Sequence, residues 1–114
     1  MATRYLIRLP NPSNARGEDA SLSFRSQGAE GIAEELQHAL RSDALFARWL
    51  EKQEEPGTVD PALSASDTSA SVSGMQEDLH IDLTVITRLS SAVLRHRLAL
   101  LAGNHWQLRD VSAA

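Results

Sequence analysis

Seven side chains in this sequence could act together if the fold gathered them: Arg4, Arg8, Arg25 and Arg109, with His80, Asp82 and His105. Guanidinium groups carry paired, planar donors that match carboxylates and phosphates, so converging arginines would make an anion or acidic-partner surface. His80 and Asp82 stand two apart, which on a strand sends both side chains off the same face. With His105 they would form a two-histidine, one-carboxylate set of the kind that holds a divalent metal. That spacing arises easily by chance, and a metal site needs three or four convergent ligands. The sequence therefore specifies no metal site and calls for no cofactor.

Other routes to catalysis are poorer. No serine sits in a Gly-x-Ser-x-Gly turn. Gly28-Ala29-Glu30-Gly31 lacks both the spacing and the lysine of a phosphate loop. The adjacent carboxylates Glu34-Glu35 would diverge on a helix, and Glu54-Glu55 fall where the chain offers no preorganisation. The absence of cysteine excludes disulfides, thiolate zinc sites and a cysteine nucleophile.

The elements that must position these residues follow from periodicity. Arg4-Tyr5-Leu6-Ile7-Arg8-Leu9 reads as a first strand, stopped by Pro10. The alternation in Ala20–Arg25 predicts a second, in a hairpin with the first. A helix is expected from Gly28 or Ala29 with Ile32, Leu36, Ala39 and Leu40 buried, and a shorter one after Ser42-Asp43 with Leu45, Phe46, Trp49 and Leu50 inward. Leu79–Ile86 is the clearest strand, Leu79, Ile81, Leu83 and Val85 facing one way and His80, Asp82 and Thr84 the other. Ser90 or Ser91 caps a last helix that Gly103-Asn104 ends, and His105–Arg109 is a final strand. Arg95-His96-Arg97 reads as a solvated basic patch on that helix.

The expected fold is α+β: a mixed sheet of about four strands in β-β-α-α-loop-β-α-β order, helices packed on one face. The last strand-helix-strand unit implies a right-handed parallel connection. The 114 residues fit one domain, 1–114. Within it, residues 54–77 read as a flexible, Ser/Ala/Asp-rich acidic loop, although Ala70–Ser73 alternates weakly enough to be an edge strand. Glu54 to Asp78 holds six acids and no base, while the rest has nine acids against eleven bases, leaving the remainder at +2.

On this reading one polar sheet face is left uncovered, and it carries the seven residues. Nucleic acid is disfavoured there, because sheet-face binding of unpaired bases uses exposed aromatics and all five in this chain fall on the inward phase. No apolar run approaches a membrane span, no signal-peptide pattern opens the chain, and a cytoplasmic location is the default expectation. The function expected is a noncatalytic protein-interaction or assembly module, meeting a protein partner or a second copy. The alternatives are a small-molecule or anion-binding domain on the arginine-bearing face, then a metal-dependent enzyme. An acidic secretion chaperone fits size and charge alone.

Overall fold

Alternation of buried and open positions runs through two long strands. In β1 (Thr3–Leu9) Tyr5, Ile7 and Leu9 are buried, and in β3 (His80–Thr87) Ile81, Leu83, Val85 and Thr87 are. Leu79, expected on the same inward face, instead lies in the turn before β3 and is 85 % exposed. The two pair antiparallel in the middle of a sheet that also contains β2 (Ser71–Glu77) and β4 (Gln107–Ala113). The computed structural model describes all 114 residues. The sheet has four strands in the order β2-β3-β1-β4, every neighbouring pair antiparallel. Three helices accompany it: α1 (Ala29–Arg41), α2 (Ala44–Leu50) and α3 (Ser91–Ala102).

The chain is α+β with four strands, as expected, but the sheet is antiparallel throughout, which corrects the mixed sheet. The strands that α3 connects, β3 and β4, do run parallel to each other. They are not neighbours, because β1 lies between them. The β1-α1-α2-β2 unit is interleaved in the same way across β3. Two β-α-β units split by each other's strands make the connectivity known as split βαβ, or ferredoxin-like.

Two segments exchange roles relative to the sequence reading. Residues 20–25 form no strand; Leu22, Ser23 and Phe24 are consecutive and all buried, which a half-buried strand does not allow. Ser23 Oγ donates to Asp19 O and accepts from Gly17 N, and Phe24 N donates to Leu101 O, so the segment plugs the C-terminal end of α3. The missing strand is β2, whose residues lie in the expected flexible loop. The rest of that loop carries two 3-10 turns, Pro56–Thr58 and Pro61–Ser64.

The helices bury the stripes their spacing predicts: Ile32, Leu36, Ala39 and Leu40 on α1, joined there by Ala33, and Val93, Leu94, Leu98 and Leu101 on α3. Ser90 caps α3, accepting from Val93 N, and Gly103 ends it at φ 64°, a backbone only glycine adopts readily. Arg97 belongs to the same buried stripe and is fully enclosed, which corrects the solvated basic patch. Its guanidinium donates to the carbonyls of Ala39, Ser42, Leu63 and Ala65. It thereby fastens the acidic segment and the C-terminal end of α1 to the middle of α3. No helix is long and apolar enough to cross a membrane.

Candidate interaction face

The core side of the sheet meets the helices, so the opposite side is open, and its composition follows from the register. Ser71, Ile86, Arg4 and Ser112 form one row across it, and Ser73, Thr84, Leu6 and Asp110 the next. Met75, Asp82, Arg8 and Gln107 form the third, and Glu77 stands opposite His80 at the end.

Of the seven sequence-selected residues, Arg4, Arg8, His80 and Asp82 share this face. Arg8 and Asp82 sit directly across from each other in a two-pronged ion pair, Nε to Oδ1 at 2.9 Å and Nη2 to Oδ2 at 3.3 Å. The Arg8 hydrogen bond holds the Asp82 carboxyl below its ordinary range, and the same bond raises Arg8. His80 Nε2 approaches Asp82 Oδ2 at 3.5 Å. Arg109 is the extra residue of a β-bulge, since Leu6 pairs with Asp110 and Ile7 with Leu108.

The remaining two are elsewhere. Arg25 lies in the loop before α1, where its backbone N–H and that of Ser26 are held by the Glu35 carboxylate, at 2.9 Å each. His105 precedes β4 and lines a cleft of about 790 Å³ with Trp49, Lys52 and His96. The set His80, Asp82 and His105 is therefore not assembled, and no three His, Asp or Glu side chains lie close enough to share a metal ion.

Two acids that the sequence reading left out, Glu77 and Asp110, join Asp82 in facing Arg4 and Arg8, with Arg109 at the rim. Apolar groups also stand here. Leu6, which the sequence places on this face between Arg4 and Arg8, is half-buried; of the two that reading missed, Met75 is 61 % exposed and Ile86 half-buried. Met75 could not be found without β2, and Ile86 follows from the alternation of β3 once Thr84 is placed outward.

The cleft unites residues from four separate segments, which no local pattern could reveal. On one wall the His96 ring meets Trp49 edge-on at 4.5 Å. Burial, and secondarily Arg97, holds this imidazole below its usual pKa and hence neutral near pH 7. Asp19 pairs with Lys52 at 2.6 Å, and its carboxyl is lowered to about 2, chiefly by that bond. Ser21 Oγ joins this pair, donating to Asp19 Oδ1 at 2.7 Å and accepting from Lys52 Nζ at 2.6 Å.

An α+β domain of split βαβ connectivity with one open, charge-balanced sheet face is the class that fold and site define. No family model, no curated protein and no solved structure matches the chain. The connectivity itself hosts many unrelated functions, so function must be argued from the surface.

Proposed function

We propose that the chain is a noncatalytic protein-interaction module whose open sheet face is the contact surface. The observation that carries this reading is the face itself: Leu6, Met75 and Ile86 are set among charges of both signs that already pair internally, as Arg8 does with Asp82. Such a mixture suits a protein surface, where apolar contact supplies affinity and complementary charge sets orientation. It suits a polyanion poorly, because acids and bases nearly cancel there. A photoreactive amino acid at Met75 in the native cell is expected to give adducts of discrete mass, while the same group at Ala47, exposed on α2, gives none. No adduct at Met75 above the Ala47 background would overturn the proposal.

The anion-binding alternative has less support, since Arg25 is off the face and Arg8 is engaged. Millimolar phosphate or citrate is accordingly expected to leave the melting temperature unchanged. A clear rise that Arg4→Gln abolishes would reverse the ranking.

A further inference from the structure

The two edges of the sheet are treated differently. Along β2, helix α1 covers the outer side: Val72 N donates to Gln37 Oε1 at 3.0 Å, and Arg41 Nε to Ala70 O at 2.7 Å. A side chain at Gly74 would place its Cβ 2.4 Å from Ala29 O, so close is the helix to this strand. β4 has no such cover. β1 is the only strand paired with it, six of its seven residues are exposed, and no side chain bonds its backbone. Val111 is 49 % exposed although it pairs with the buried Tyr5 on the helix side of the sheet.

Bulges and charges usually blunt a free edge, but here they leave one register open. The extra residue shifts the phase of β4. Leu108 and Val111, three apart, both fall on the helix side opposite Ile7 and Tyr5, while Gln107 and Asp110 share the open side opposite Arg8 and Leu6. Two copies of β4, antiparallel about a two-fold axis between Arg109 and Asp110, would therefore set Leu108 against Val111 of the other copy on one face. Gln107 would meet Ser112 on the other face. Arg109 would stand opposite Asp110, and each of these pairings occurs twice by symmetry. In a strand without the bulge this register would put opposed residues on different faces.

We propose that β4 pairs antiparallel with β4 of a second copy in this register, joining two four-stranded sheets into one. The inference rests on the interaction-module reading and names a second copy as the partner at the edge, leaving the open face free and doubled in width. Light scattering after size exclusion is expected to give twice 12.4 kDa for the wild type at micromolar concentration. Arg109→Glu sets acid against acid twice and is expected to weaken the dimer at least tenfold. Combining Arg109→Asp with Asp110→Arg restores opposition of charge and the dimer with it. Amide exchange on the wild type supplies a test free of folding effects: outward amides within Gln107–Ala113 slow as concentration rises. A monomer at every concentration, with concentration-independent exchange in β4, overturns the edge pairing without touching the Met75 adducts. A dimer indifferent to Arg109→Glu but dissolved by Met75→Glu also overturns it, and moves self-association to the open face.

Discussion

Replacing Arg97 by methionine is expected to lower the unfolding free energy by about 3 kcal/mol, a sizeable part of the roughly 5–15 kcal/mol a domain has. The guanidinium is fully enclosed and donates to four backbone carbonyls, two at the end of α1 and its cap and two in the acidic segment, with Leu63 O at 3.0 Å and Ala65 O at 2.7 Å. Methionine matches its stem but supplies no donor, so the carbonyls lose their partners, and each buried loss costs about 1–3 kcal/mol. Removing the desolvated charge returns part of this. That desolvation is the larger influence on Arg97, lowering its pKa, and Asp43 opposes it only partly. The loss should be local as well as global: residues 56–66 should become the first site of limited proteolysis. Lysine should rescue little, because one ammonium cannot span four carbonyls from two segments. An unfolding free energy within about 0.5 kcal/mol of wild type would show that the carbonyls find other partners.

Asp67→Asn is expected to cost about 2–3 kcal/mol at pH 7, on the usual scale for hydrogen bonds to a charged group. One carboxylate oxygen accepts from Ser69 N at 3.0 Å and Ser69 Oγ at 2.6 Å, the other from Thr87 Oγ1 and Arg88 N at 2.8 Å each. An amide would turn its NH2 toward donors on one side. The Arg88 backbone bond, followed by the Ser69 hydroxyl, holds the folded Asp67 carboxyl far below the ordinary carboxylate range. A folded pKa below the unfolded value of about 3.9 means that the contribution is complete above that value and lost as pH falls toward the folded one. The gap between wild type and Asp67→Asn should therefore be constant from neutral pH to about 5 and shrink below about 4. Thermal melts across that range measure it; a gap independent of pH would show that Asp67 acts only by its shape.

Arg97 also shows what was and was not legible in the sequence. Its position follows from Val93 and Leu94 by helical spacing, so the period placed it on the buried stripe. Its charge argued for solvent, and the period won because four carbonyls were waiting inside. β1, β3, α1, α2 and α3 were readable because each carries its own alternation or stripe. β2 was legible only in part: the weak alternation of Ala70–Ser73 offered an edge strand, but Ser71–Glu77 has little apolar content, and its strand state comes from β3 on one side and α1 on the other. Ala20–Arg25 failed in the opposite sense, since an alternating pattern there packs as an irregular plug. The open face was correctly populated where strands were correctly found, at Arg4, Arg8, His80 and Asp82. It was wrong at Arg25 and His105, which depended on strands that do not form there. The acids that balance it, Glu77 and Asp110, lie on β2 and beyond the bulge, where register was beyond reach of pattern alone.

The place of β1 has a consequence for how the chain is made. It is the first strand synthesised, yet it lies between two later ones, and Arg8 is 74 residues from Asp82. At roughly 5–20 residues per second, the Tyr5-Ile7-Leu9 face waits several seconds for β3 and longer for β4. Pairing so distant in sequence slows folding. The one local hairpin is β2-β3, joined by Asp78-Leu79, so the sheet is poised to start there and to admit its central strand afterwards.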